Sequence, residues 1–383
     1  MSSSTFSDRI QRMKKRRKGS PEQVKVAMES YSGVAMDGLE SYEILANVLS
    51  SQEEWERRGR GDNATRYVIG AMQSVETQYT EVSLNTAKRI ENQLEKRLSE
   101  YNLDFRLQGS VALDIHIKGF SDVDLLVIDK QMLMYDRDGV RQSLYTPTSK
   151  KEDDVILTLR NTARDELRKA FPEAYVDDEN NKSLRITGGS LQREVDVVPA
   201  IWWDNIDYQL SQEESDRGVM ILQRDERKRI YNSPFVHIKR IESKCDRSNG
   251  GLRKSIRLLK TIKSDFQDEE GTEIGLNSYD LTSIMYHADE NNLRHNAYYE
   301  LAVLVETHRW LNYLCSHPIE AKKLDVPNGT RKIFEDDNSL NELMKLTNVV
   351  NNLVNEVMNE HIGNFGRQLA LNESELLKGI QVL

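Results

Sequence analysis

Three aspartates restrict what this chain can fold into more than any other feature. The stretch from Leu107 to Asp129, LQGSVALDIHIKGFSDVDLLVID, sets Asp122-Val123-Asp124 at the head of an apolar run, downstream of a Gly109-Ser110 turn. In an extended strand alternate side chains share a face, so Asp122 and Asp124 point one way while Val123 turns to the core. Adjacent carboxylates repel each other, and the pair is tolerated where a divalent cation lies between them. Later, Glu194-Val195-Asp196-Val197-Val198-Pro199 offers a second strand whose Asp196 can join the first two. Hard oxygen ligands of this kind suit Mg²⁺, with Mn²⁺ as a substitute, and the Gly-Ser turn can present N–H groups and a hydroxyl to phosphates. Three carboxylates on neighbouring strands fit two-metal phosphoryl transfer, one metal serving the attacking hydroxyl and the other the leaving pyrophosphate. The alternative for an isolated Asp-x-Asp is a solvated pair on an edge strand; here the turn and the third carboxylate weigh against it.

Around these motifs the periodicity is that of a mixed domain. Ala87, Ile90, Leu94 and Leu98 recur at helical spacing and give one apolar stripe. Phe105 to Gln108 and Val123 to Ile128 read as the first strands, Gln131 to Thr148 as an exposed loop, and Lys151 to Ala170 as a helix ended by Pro172. Ser183 to Thr187 and Gln192 to Val198 form two further strands joined by a turn at Gly188-Gly189. This order predicts a mixed sheet backed by helices. Trp202 and Trp203 read as core anchors, with base stacking as the alternative.

The second half is helical. Leu252, Ile256, Leu259, Ile262 and Phe266 make an apolar face behind the break at Asn249-Gly250-Gly251, and Arg253, Arg257 and Lys260 line a neighbouring one, either as a solvated basic face or aimed into a cleft. Lys263 projects from within the apolar stripe, so it must snorkel, pair with a carboxylate or meet a ligand's charge. Ser278 is an N-cap candidate for the next helix. Ala302, Trp310, Leu343, Leu346, Val350, Leu353 and Val357 lie at spacings of three and four, which suits a core helix better than a coiled-coil partner. Before residue 72 the chain carries a basic cluster, Arg9, Arg12, Lys14, Lys15, Arg16, Arg17 and Lys18, which reads as a solvated face or frayed arm, with contact to nucleic acid or an acidic partner as the alternative. Pro21 to Ser50 reads as helical and Arg57 to Asp62 as a loop.

The motifs Leu107-Gln108-Gly109-Ser110, Asp122-Val123-Asp124 and Asp196-Val197-Val198-Pro199 resemble the DNA polymerase β-like nucleotidyltransferases. The match is closest to their template-independent branch, which includes oligoadenylate synthetases, the animal cyclic GMP-AMP synthase and the bacterial CD-NTases of anti-phage signalling. The resemblance covers roughly residues 80 to 290. It implies an α+β fold: an N-terminal extension over 1–72, a catalytic lobe over 73–235 and a helical lobe over 236–383 that closes the nucleotide cleft. It implies a Mg²⁺-dependent synthesis of a cyclic di- or trinucleotide messenger from nucleoside triphosphates, ATP among them, with a downstream effector acting through the product. A linear oligonucleotide synthetase is the runner-up. Asp122, Asp124 and Asp196 take the catalytic and metal-binding roles. Gln108, Gly109, Ser110, Lys260 in Arg257-Leu258-Leu259-Lys260, and Ser278-Tyr279 take the nucleotide. The chain departs from the family pattern at Ile115, where relatives often carry a threonine, while Lys118 keeps the basic residue expected before the Asp-x-Asp.

Composition agrees. With 38% hydrophobic and 30% charged residues and no apolar run near the roughly 20 residues that span a bilayer, a soluble cytoplasmic enzyme is expected, without a membrane partner. Cys245 and Cys315 stand too far apart for a cysteine zinc site, and a net charge of −9 disfavours a broad nucleic-acid-coating surface. No nucleic-acid-binding module is evident. An RNA-tailing enzyme would be expected to show a base-templating acidic-x-x-arginine helix, and a non-catalytic scaffold would not need all three carboxylates.

Overall fold

The structure, a computed structural model, describes residues 3–18, 52–59, 61–117, 122–362 and 373–383. Pro21 to Ser50 and Lys118 lie outside these. The chain divides into two compact units. One comprises Met1–Val75, Ile115–Phe120 and Ile241–Leu383; the other comprises Glu76–Asp114 and Ser121–Arg240. The described part of the N-terminal extension therefore groups with the C-terminal helices. In chain order the longer helices are α1 (Ser3–Lys18), α2 (Asn63–Met72), α3 (Thr77–Arg97), α4 (Glu152–Ala170), α5 (Pro234–Arg247), α6 (Gly251–Glu270), α7 (Ser278–Tyr286), α8 (Leu301–Ser316) and α9 (Asp337–Ile362). The strands are β1 (Leu103–Gln108), β2 (Val123–Tyr135), β3 (Tyr175–Asp177), β4 (Leu184–Thr187), β5 (Val195–Asp204), β6 (Gly218–Gln223) and β7 (Lys228–Asn232).

The sheet unit is a mixed seven-stranded sheet in the order β1-β2-β5-β4-β3, with β6 pairing β5 and β7. Among the described strands only β2 and β5 run parallel; the other pairs are antiparallel. One face is covered as the stripe on α3 demands: Ala87, Ile90, Leu94 and Leu98 are buried with Leu159, Ala163 and Leu167 of α4 against Val123, Leu125, Val127, Val195 and Val197. The alternate residues Leu126, Ile128, Val198, Ala200 and Trp202 make a second buried cluster on the other face, with Phe235 packed against it.

Two boundaries differ from the sequence reading. β2 runs on to Tyr135 where a loop is expected from Gln131, because a register shift against β5 between Asp129 and Leu133 breaks the period-two alternation. Asp129 accepts the Gln131 N–H at 2.9 Å inside that irregularity. β5 likewise runs through Trp202 and Trp203. Trp202 is a buried core anchor whose Nε1 donates to Asp104, and Trp203 Nε1 donates to Asp136.

In the helical unit the N-terminal basic cluster forms a folded helix rather than a frayed arm. Arg9 and Arg12 both donate to Glu269, and Arg16 reaches Asp265 at 2.6 Å. Tyr67 donates to the other Asp265 oxygen at 2.6 Å, and Arg17 pairs with Glu53. The partners of Arg9, Arg12 and Arg16 lie on α6, 249 to 260 residues further along the chain, so no local pattern announces them. Lys263 resolves as a paired residue: its Nζ meets Glu273 at 2.8 Å and the Leu276 carbonyl at 2.8 Å. Leu343, Leu346, Val350, Leu353 and Val357 of α9 are buried in the core. Among the described residues no helix is long and apolar enough to cross a membrane.

Glu300 is a second electrostatic node. It accepts from Arg58 Nη1 at 2.9 Å and from Lys254 at 3.2 Å, while Arg58 Nη2 also donates to the Val382 carbonyl at 2.8 Å. Burial alone would raise the Glu300 carboxyl, but the Arg58 hydrogen bonds and the charges of Lys254 and Arg58 outweigh it and bring it from 4.5 down to about 2. A carboxyl depressed in the folded state adds stability that is complete above its unfolded value and is lost as the pH falls through the folded one. The melting-temperature gap between the wild type and Glu300→Gln should therefore be fully open at neutral pH and close as the pH falls from 4.5 toward about 2. Thermal melts across that range check it; a gap that does not vary with pH would show that the charge of Glu300 adds nothing.

Candidate active site

The strand register gathers the carboxylates. Asp124 and Asp196 are Cα partners on the parallel strands β2 and β5, and Gln108 at the end of β1 is the Cα partner of Asp124 from the other side. Asp122 lies one residue before β2. Because Asp124 shares a face with Leu126 and Ile128, and Asp196 with Val198 and Ala200, both aspartates stand where that buried face ends at the strand beginnings. Repulsion between them is offset by exposure at this rim and by a cation.

That cation is Arg185, which sequence reading placed on a strand without a role. On β4 it is the Cα partner of Asp196. Its guanidinium lies 2.7 Å from Glu194, 3.2 Å from Asp196 and 3.6 Å from Asp122. Burial raises the Asp122 carboxyl above its usual value, Arg185 opposes the rise and Asp196 adds to it. Glu194 is raised likewise, by burial and then by Asp122, against Arg185. Among the described residues no three acidic, His or Cys side chains stand ready as a cage for an ion. The donor set is nevertheless hard oxygen from three aspartates on one rim, which is the chemistry a Mg²⁺-type cation takes.

Gly109 and Ser110 open a short helical turn, Gly109–Ala112, that follows β1 directly. Gly109 has φ +74°, and a Cβ there would fall 2.0 Å from Asp124 Oδ2. The glycine is required twice over, for its backbone conformation and for the room it leaves the carboxylate.

The remaining predicted residues belong to the helical unit. Lys260 is buried on α6 and its Nζ donates to the Ile115 carbonyl at 3.1 Å. Arg257 is buried beside it, donating to the Met72 carbonyl, so this is not a solvated basic face. The N-cap of α7 is Asn277 rather than Ser278: the Asn277 side chain accepts the Asp280 N–H at 2.9 Å, and the Asp280 carboxylate accepts the Asn277 N–H at 3.0 Å, completing a capping box. Ser278 is thereby the first helical residue, exposed and released from capping. Tyr279 is half-buried; its hydroxyl donates to Asn328 at 3.0 Å, Arg331 lies over its ring, and burial pushes its pKa up to about 12.

Comparison with known proteins agrees with the fold. Residues 239–358 match the family model for the cGAS/DncV-like nucleotidyltransferase C-terminal helical domain. The chain is 62% identical over 363 residues, 95% of each chain, to a protein of Yersinia aleksiciae named cyclic dinucleotide synthase CdnE. It is 29% identical over 272 residues, 63% of this chain and 74% of the other, to a c-di-GMP synthase of Lachnospiraceae bacterium. In fold it is similar to the STING-associated CdnE c-di-GMP synthase from Flavobacteriaceae sp., with a TM-score of 0.68 at 23% identity over 90% of this chain and 98% of that one.

The tight approach of Gly109 to Asp124 can be tested by a double-mutant cycle. Gly109→Ala should destabilise the protein by about 1–3 kcal/mol, and by less in an Asp124→Ala background where the carboxylate is gone. Denaturant unfolding of the four proteins measures both costs. Equal costs in the two backgrounds would leave backbone strain as the sole reason for the glycine.

Proposed function

The chain belongs to the bacterial CD-NTase family, and from that premise we propose that it joins two nucleoside triphosphates, without a template, into a cyclic dinucleotide second messenger. The observation that carries the reading is the register of Asp124 with Asp196 on adjacent parallel strands, with Asp122 beside them. The near-identical length and 62% identity of the relative named cyclic dinucleotide synthase favour a cyclic dinucleotide over a trinucleotide or a linear oligomer.

Asp122, Asp124 and Asp196 are the residues that would hold divalent cations, Mg²⁺ or Mn²⁺. Such ions, when bound, lower the pKa of the attacking ribose hydroxyl and neutralise the leaving pyrophosphate. Asp196 takes the proton of that hydroxyl, since it is the carboxylate on the strand apart from the Asp-x-Asp pair. Gln108, Gly109 and Ser110 bind the donor phosphates next to Asp124. Lys260, Ser278 and Tyr279 are assigned to the donor nucleotide by their match to the family motifs. On the same resemblance we assign the product to anti-phage signalling, where an effector reads it, and expect adenine in it. Guanine is the competing base, carried by the name of the c-di-GMP relative.

Incubation with all four ribonucleotides and Mg²⁺, followed by mass spectrometry and phosphatase treatment, tests the product. A phosphatase-resistant cyclic dinucleotide is expected; a phosphatase-sensitive ladder would replace cyclisation by linear synthesis. Asp122→Asn, Asp124→Asn and Asp196→Asn should each cut pyrophosphate release by orders of magnitude while the protein stays folded. Wild-type release by the Asp196 variant would remove that residue from the chemistry.

Ser278 permits a cleaner test than its neighbours. Because Asn277 caps α7, Ser278→Ala should leave the melting temperature unchanged and weaken nucleotide binding by roughly three- to tenfold, the value of one hydrogen bond. Calorimetric titration with a non-hydrolysable triphosphate reads the affinity. Unchanged affinity would exclude the serine from the phosphate contacts.

A further inference from the structure

Arg185 has no part in the chemistry above, yet it pairs with two of the carboxylates assigned to it. Its guanidinium faces three carboxylates at once, Glu194 at 2.7 Å, Asp196 at 3.2 Å and Asp122 at 3.6 Å, and two of these are assigned to the metal. We propose that Arg185 is a built-in counter-ion of the metal site: it neutralises the carboxylate rim in the metal-free protein, and a divalent cation must displace it from Asp122 and Asp196 in order to bind. The inference rests on the reading that these aspartates hold divalent cations.

Three observations support it. The hydrogen bond from Arg185 Nε ends on Asp196 Oδ1, so the guanidinium and a metal compete for the same carboxylate. The guanidinium is about as exposed as Asp122, 41% against 42%, so that ion pair is open to water and weak enough for a doubly charged ion to break, while Asp196 is the more enclosed partner. Glu194, two residues before Asp196 and immediately ahead of β5, makes the shortest of the three contacts and has no assigned metal role. It can keep hold of the guanidinium once the aspartates are taken, so that Arg185 swings aside instead of being lost to solvent. A fixed positive charge at this rim has two consequences. It stabilises the metal-free protein by relieving repulsion among the carboxylates, and it lowers the affinity for any cation that enters.

The test uses the full chain without nucleotide, so that it reads the metal site apart from turnover. Mn²⁺ binding is measured by electron paramagnetic resonance titration, and melting temperature is measured in EDTA and in saturating Mn²⁺, for the wild type, Arg185→Gln and Arg185→Lys. Arg185→Gln is expected to bind Mn²⁺ roughly three- to tenfold more tightly and to melt lower than the wild type in EDTA, with the gap narrowing in Mn²⁺. Arg185→Lys, which keeps the charge, should stay near the wild type in both. If Arg185→Gln binds Mn²⁺ no more tightly while Asp124→Asn abolishes binding, the counter-ion role is overturned and the metal reading stands. If Asp124→Asn and Asp196→Asn bind Mn²⁺ as the wild type does, the metal reading itself falls and the counter-ion role with it.

Discussion

The parallel pairing of β2 with β5 is the constraint on which the site depends. Both strands carry apolar residues on both faces, and each face packs into a different buried cluster, so a slip of one residue would move every side chain out of the cluster it fits and into the other. That packing sets Asp124 opposite Asp196, and nothing about the aspartates themselves has to favour the arrangement. The hydrophobic core stabilises a register that the carboxylates would resist, and the rim position with Arg185 beside it keeps their repulsion tolerable. A chemical site is thus held by forces that do not act between its own members.

The helical unit solves a different electrostatic problem. Its basic N-terminal helix and the acidic end of α6 bury charge against charge around Asp265 and Glu269, with Tyr67 contributing a hydrogen bond. Glu300 does the same for Arg58, Lys254 and the final residues of the chain. Buried ions are costly unless every partner is present, so these nodes specify which segments must meet more than they add net stability. They also tie residues 9 and 58 to residues 269 and 382, and so join the two ends of the sequence in one unit.

At α7 a shift of one residue changes what a side chain is free to do. With Ser278 as N-cap, its hydroxyl would be consumed by the helix; with Asn277 in that place, and Asp280 closing the box, the hydroxyl remains available. Lys260 and Tyr279 show the opposite: both have polar partners in their own unit, Ile115 and Asn328, so a ligand role for them has to coexist with a structural one.

What the sequence by itself determined follows from short periods. The alternation around Asp122-Val123-Asp124, the stripe on α3, the apolar face of α6 and the Gly-Ser turn are all local patterns, and each was found where the spacing put it. The bulge after Asp129 was not legible, because the three residues inserted before Leu133 break the alternation by which a strand is recognised. Nor was the cap at Asn277, since Asn and Ser side by side are equally able to cap. Arg185 stands between two ordinary apolar residues of a short strand, and only its register against Asp196 gives it a function. The same holds for Arg9 with Glu269 and Arg58 with Glu300. Side-chain burial repeats with the pitch of its own helix or strand and leaves a trace in the sequence, whereas an ion pair depends only on distance in space, which the tertiary structure alone decides.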